Sequence, residues 1–236
     1  MSLEFINPQL ATAVEKPPPR AGWLHEVKHD GYRTLLIVER RRVRAYTRNG
    51  FDWTERYSGI AKAAGEFDCR SAIIDGEVIV QNENGVSDFD ALKSAIRWRP
   101  QSLILCAFDL LHLNGKDLRD WPLEERRAKL RKLIPNEHPF LFSEEFTGDA
   151  AAFFRACADH QLEGIVSKLA SSKYRSGRSK TWLRRNASPK ARSLLSALPV
   201  ISRLKRLLHC WLELILGGWH MQAQPSLPFP AAKNRN

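Results

Sequence analysis

Acidic side chains all but vanish from the C-terminal third of this chain. Residues 164–236 carry 14 Lys and Arg against a single acid, Glu213, whereas residues 1–163 hold 23 basic and 25 acidic side chains. The net charge of +11 over 236 residues therefore belongs to one end, and it predicts a polyanionic partner met mainly there. Cysteine is scarce as well. Cys69, Cys106, Cys157 and Cys210 are too few and too scattered for a disulfide scaffold or a paired-cysteine zinc site, and a reducing, cytoplasmic setting is the simpler expectation. No apolar run is long enough to cross a membrane: the greasiest stretch, 194–216, is broken by Arg203, Lys205, Arg206 and Glu213. The N-terminus lacks the basic-then-apolar pattern of a secretory signal. Neither a Walker-type glycine loop nor a Gly-x-Ser-x-Gly elbow occurs, which leaves P-loop NTPases and serine hydrolases without support. His25, His112, His138, His160, His209 and His220 show no paired ligand spacing.

What is present reads as a folded protein, with 43% hydrophobic and 27% charged residues. Up to about residue 186, short apolar runs alternate with short helical patterns. Strands are expected at 24–28, 34–39, 43–47, 72–80, 102–113, 140–142 and 164–169. Helices are expected at 52–65, 88–97 (capped by Ser87), 123–134 and 149–161. Asn84-Gly85 and Asn114-Gly115 are hairpin dipeptides, because both residue types tolerate positive φ. Without a regular strand–helix–strand repeat, the pattern predicts an α+β fold of antiparallel sheets flanked by helices. The expected organisation is a lead-in at 1–20 stiffened by Pro17-Pro18-Pro19, and a folded domain at 21–186. A basic amphipathic helical segment at 187–221 and a disordered tail at 222–236 follow.

Five stretches carry chemistry. In Glu26-Val27-Lys28-His29-Asp30-Gly31-Tyr32-Arg33, extended chain would project Glu26, Lys28 and Asp30 from one face, and Gly31 would let the chain turn. A lysine held beside Arg33 meets a like charge that favours the neutral, nucleophilic amine. In isolation, an exposed strand end whose Lys28 and Asp30 pair in solvent would look the same. Asp75 and Glu77 lie two apart in an apolar run, so both carboxylates emerge on one face and need a ligand, metal or partner. Phe108 and Asp109 point to opposite faces, which leaves Phe108 free to stack on a purine or to join the core. Glu163 before Gly164 offers an oxygen ligand where backbone can approach a cation closely. Lys168 falls opposite Glu163 by strand parity unless Gly164 bulges, and a plain surface lysine is the alternative. Lys180 follows Arg175 and Arg178 in what reads as a flexible basic loop suited to phosphate.

These stretches occur in an order that resembles the covalent nucleotidyltransferases, most closely the ATP-dependent DNA ligases of the bacterial end-joining type. Lys28-His29-Asp30-Gly31-Tyr32-Arg33 resembles the family's nucleophile motif. Thr47-Arg48-Asn49-Gly50, Asp75-Gly76-Glu77, Ala107-Phe108-Asp109-Leu110-Leu111, Glu163-Gly164-Ile165-Val166-Ser167-Lys168 and Ser179-Lys180-Thr181-Trp182-Leu183 follow at similar distances. Residues 115–130 and 174–182 are also similar, so the likeness covers roughly 5–185. It implies that ATP and Lys28 form a lysine–AMP phosphoramide, that AMP passes to a 5′-phosphate at a break in double-stranded DNA, and that the 3′-hydroxyl then displaces it. By resemblance Glu26 sits near the adenine amino group and Phe108 stacks on the base. Arg33 and Arg48 reach ribose or phosphates, Glu77 meets ribose or Mg²⁺, Glu163 holds Mg²⁺, and Lys168 and Lys180 contact phosphate. The missing four-cysteine cluster disfavours an NAD-dependent ligase. Two departures stand out. After Trp182-Leu183 the family's Lys-x-Lys is Arg184-Arg185-Asn186, which removes one phosphate-contacting charge. The residues after Asn186 are too few and too helical in pattern for the family's C-terminal OB-fold. The fold is accordingly expected to lack that barrel and sealing to be impaired. End-joining proteins, or a separate chain supplying the barrel, are the further partners implied. The alternative is a truncated, non-catalytic ligase-like chain that still binds nucleotide or DNA.

Overall fold

The structure is a computed structural model that describes residues 2–187 other than Arg20 and Asn136. The chain begins with β1 (Gln9–Ala13), β2 (Trp23–Val27), β3 (Tyr32–Glu39), β4 (Arg42–Thr47) and α1 (Ser58–Ala64). It continues through β5 (Ser71–Ile79), α2 (Phe89–Trp98), β6 (Ile104–Leu113), β7 (Lys116–Asp117) and α3 (Leu123–Leu133). β8 (Phe140–Phe142), β9 (Glu145–Phe146), α4 (Ala150–Asp159), β10 (Gly164–Leu169) and β11 (Gly177–Asn186) complete it.

Two sheets form, with strand orders β1-β11-β10-β2-β9 and β4-β3-β5-β6-β7, and β8 pairs with β6. All pairings are antiparallel except β1 with β11 and β6 with β8. The α+β expectation of antiparallel sheets with few helices is thus met, with two parallel exceptions.

Alternation along β3 divides the interior in two. Leu36 and Val38 join a core with Ile60 and Ala64 of α1, Leu92 and Ala95 of α2, and Leu130 of α3. Leu35 and Ile37 point the other way, into a second core with Phe108, Tyr174 and Trp182 that draws on both sheets. Arg33 shares the Leu35 parity, so the face that packs sheet against sheet near one end of β3 becomes the polar lining of a cleft.

Some boundaries differ from the sequence reading for physical reasons. α1 begins at Ser58 rather than at 52, because Asp52 bridges back to Tyr46 and its carboxylate takes the Thr54 amide. Asp88, not Ser87, caps α2 by accepting from the Ala91 amide at 2.9 Å, while the Ser87 hydroxyl accepts from the Asp30 amide at 3.1 Å. The 1–20 lead-in contributes strand β1, and the expected flexible basic loop around Lys180 is strand β11. Both strands are half polar and are held by pairing with chain more than 160 residues away, which local pattern does not report. The expectations of a basic helical segment, a disordered tail and no OB-fold fall on residues after Ala187, outside the described residues. Among the described residues no helix is long and apolar enough to cross a membrane.

Candidate active site

The cleft between the sheets contains a cavity of about 300 Å³, enough for a nucleotide-sized ligand. β2 delivers Glu26 and, just past its end, Lys28. The Lys28 amide donates to the Gly164 carbonyl at 2.9 Å, which fixes the nucleophile turn against β10. Gly164 holds φ +146°, and a Cβ there would collide with the Arg185 carbonyl, so that close approach requires glycine. Gly31 is enclosed too: a Cβ would strike the Val78 carbonyl. The Lys28 ammonium pairs with the Glu163 carboxylate, and the second Glu163 oxygen is buried without a protein partner. The like charge expected to press on Lys28 is directed elsewhere, since the Arg33 fork is taken up by Asp75 at 2.5 and 2.7 Å.

Glu26 forms the floor. It is 2% exposed and accepts from Arg127 Nη1 at 2.9 Å, from Ser143 Oγ at 2.8 Å and from Lys168 Nζ at 2.8 and 2.9 Å. Burial works to raise the Glu26 carboxyl, but the charges of Arg127 and Lys168 outweigh it and hold the group below its ordinary range. Lys168 lies 4.1 Å from the Phe108 ring centroid and 4.4 Å from that of Trp182, and burial lowers its ammonium below the usual lysine range. The parity objection to Lys168 is resolved by the Gly164 distortion: Glu163 meets Lys28 while Lys168 turns to Glu26.

Asp75 and Glu77 do share a face, yet their fates differ. Asp75 is buried between Arg33 and the Tyr174 hydroxyl, which donates to it at 2.7 Å. Glu77 faces the cavity, where burial pushes its carboxyl up to about 7 against the pull of Arg33 and Lys28. The His29 imidazole, also lining the cavity, is pushed down to about 4 chiefly by burial.

Of the residues singled out in the sequence, Glu26, Lys28, Arg33, Arg48, Glu77, Phe108 and Lys168 line this one cavity, and Glu163 touches Lys28. Lys180 does not line it; it is exposed on β11. Arg178, Trp182 and Arg184 line it instead, on a strand whose pairing with β1 and β10 local pattern does not report. The sequence reading also passed over Arg127 and Ser143. Two arginines inside Glu-Glu-Arg-Arg look like a solvated helix face, and nothing local signals their burial. Among the described residues no group of three or more His, Cys, Asp or Glu gathers as a metal centre. Glu163, with its unpartnered buried oxygen, and Glu77 nevertheless suit Mg²⁺, which needs only one or two carboxylates alongside substrate phosphate.

Comparison with known proteins agrees with this geometry. Residues 6–185 match the family described as ATP dependent DNA ligase domain. The chain is 41% identical over 184 residues to the multifunctional non-homologous end joining protein LigD of Pseudomonas aeruginosa, covering 77% of this chain and 22% of that protein. It is 30% identical over 185 residues to the SPbeta prophage-derived DNA ligase-like protein LigB of Bacillus subtilis, covering 76% of this chain and 67% of that one. Among solved structures, mycobacterial DNA ligase D complexed with ATP and MES aligns with TM-score 0.66 and 30% identity, over 78% of this chain and 62% of that one. The chain thus spans about a fifth of the Pseudomonas relative.

Proposed function

This chain belongs to the ATP-dependent DNA ligase family, and on that premise we propose that it catalyses nucleotidyl transfer through Lys28. The observation that carries the proposal is the convergence in one cavity of an amine, two carboxylates, an aromatic wall and three cations, Arg48, Arg178 and Arg184, that have no carboxylate partner among the described residues. The Lys28 amine would attack the α-phosphorus of ATP. A nitrogen–phosphorus bond forms, the bond to the bridging oxygen breaks, and pyrophosphate leaves with the electron pair. The proton shed by the amine has an acceptor in reach, the Glu163 carboxylate it touches. Phe108 stacks on the base and Glu26 meets its edge, while Arg48 and Arg184 face the phosphates from opposite sheets. Arg184 stands where the family has a lysine, so one phosphate contact is retained in a forked, always-charged form. Glu77 and Glu163 would hold Mg²⁺, which neutralises charge developing on the phosphate oxygens. AMP would then pass to the 5′-phosphate of broken double-stranded DNA, and the 3′-hydroxyl would displace it to form the phosphodiester. Lys180, outside the cavity, is free to meet the DNA backbone.

The test is retention of label. Incubated with α-labelled ATP and Mg²⁺ and run on a denaturing gel, the wild-type chain should carry label and Lys28→Ala should carry none. Label persisting on a folded Lys28→Ala variant would remove Lys28 from the role.

A further inference from the structure

α3 buries two consecutive arginines, and the transfer proposed above uses neither. Arg126 is accounted for by Asp109, which it holds through two contacts of 2.8 Å. Arg127 is placed differently. It is 2% exposed, donates to Glu26 Oε1 and to the Phe108 carbonyl at 2.9 Å each, to the Ser143 carbonyl at 2.5 Å, and pairs with Glu145. One guanidinium thus grips both the cavity-floor carboxylate and the backbone of the aromatic wall. Neither Arg127 nor Ser143 lines the cavity itself.

We infer that Arg127 and Ser143 are positioning residues for purine selection, fixing Glu26 as an oriented carboxylate that faces the edge of a base stacked on Phe108. The inference rests on the nucleotide reading of the cavity given above. An ionised carboxylate can only accept hydrogen bonds. It therefore welcomes the exocyclic amino group of adenine and repels the carbonyl oxygen that guanine carries at the same place. A neutral carboxyl could donate to that oxygen, and discrimination would fade. Burial by itself favours the neutral form, and the charges of Arg127 and Lys168 reverse the balance. Lys168 lines the cavity and can also touch a ligand, whereas Arg127 acts only from behind.

The experiment measures the affinities of the intact 236-residue chain for ATP and for GTP by calorimetry and reads their ratio. The wild type should prefer ATP; binding of neither nucleotide would overturn the cavity reading and this inference together. With wild-type preference established, the variants judge the inference alone. Arg127→Met should lower the ATP:GTP ratio about tenfold, the effect of one charged hydrogen bond. Arg127→Lys, which keeps the charge, should recover part of it. Combined with Glu26→Gln, Arg127→Met should lower the ratio no further, because it works through that carboxylate. A folded Arg127→Met chain with a wild-type ratio overturns the proposal. If Arg127→Met does not fold, Ser143→Ala decides: it removes one donor from Glu26 but leaves the buried charges paired, so the ratio should drop severalfold, and an unchanged ratio overturns the proposal. Arg131→Met, one turn along α3 and bonded to Glu144 near the surface, should leave the ratio unaltered. An equal drop there would mean general loosening of the helix and would count against the role.

Discussion

Phe108 reaches the cavity because period-two alternation sends Asp109 the other way, to Arg126. Its ring already carries the Arg33 guanidinium at 4.5 Å and the Lys168 ammonium at 4.1 Å from the centroid, so the surface offered to a base is electrostatically braced. Phe108→Ala should weaken ATP binding by about 1–3 kcal/mol, the usual worth of one base-stacking partner; calorimetry that finds unchanged affinity would remove the stack. His29 supplies a pH signature. Its folded value of about 4 lies below the ordinary 6.5, so folding binds fewer protons than the unfolded chain between those values. The stability it contributes is complete above pH 6.5 and disappears as pH falls toward 4, by roughly 3 kcal/mol at most. Denaturant melts of His29→Gln should show a flatter slope than wild type across that window, and parallel curves would contradict the assignment. Such residues divide by how local their signal is. Lys28, Glu77 and Phe108 were legible because two-residue periodicity and short motifs announce them. Glu26 was legible as a cavity residue, but its partners Arg127, Ser143 and Lys168 lie at least 100 positions away, and only the folded pairing of β2 with β9 and β10 assembles them. In the other sheet, the pairing of β3 with β5 explains why Arg33 attends Asp75 and not Lys28.

The elements are joined by buried polar ties as much as by apolar packing. Arg126 and Asp109 are both fully buried, and the arginine also donates to the carbonyls of Trp121 and Ser172, so one side chain fastens β6, the start of α3 and the segment before β11. Removing one partner leaves an uncompensated interior charge. Asp109→Ala should therefore cost about 3–5 kcal/mol in chemical denaturation, and Asp109→Leu combined with Arg126→Met should cost much less than the two changes summed. Additive losses would show that the pair is energetically uncoupled. A second tie runs through Tyr174, whose hydroxyl accepts from the Gln9 amide at 2.9 Å and donates to Asp75, bringing β1 to the cleft. β3, β5, β6 and α3 were readable because each concentrates apolar residues at its own period. β1 and β11 were not. Leu10, Trp182 and Leu183 are the large apolar residues of the two strands among otherwise polar or small positions, and their order comes from register across the first sheet. The sequence marks Arg178 and Arg184 as phosphate-type cations, but not the strand that sets them in the cleft wall.

At the scale of the whole molecule the dominant fact is the charge gradient along the chain. Fourteen basic side chains occupy residues 164–236. Lys168 is engaged by Glu26, and Lys173 and Arg175 by Asp120, which leaves at most eleven of them for a polyanion. Each DNA phosphate neutralised releases condensed counterion, so the logarithm of the affinity should fall against the logarithm of salt with a slope no steeper than about −10. Fluorescence anisotropy on a nicked duplex between about 50 and 200 mM salt measures it. Binding should be indifferent to sequence, because phosphate contacts carry none. Replacing Arg203, Lys205 and Arg206 with Gln should make the slope shallower by about 3, one counterion per charge removed, and should leave label transfer to Lys28 intact because the cavity lies wholly within residues 10–184. An unaltered slope would remove Arg203, Lys205 and Arg206 from the DNA contact, and Lys180, exposed on β11, would then be the cation to neutralise next.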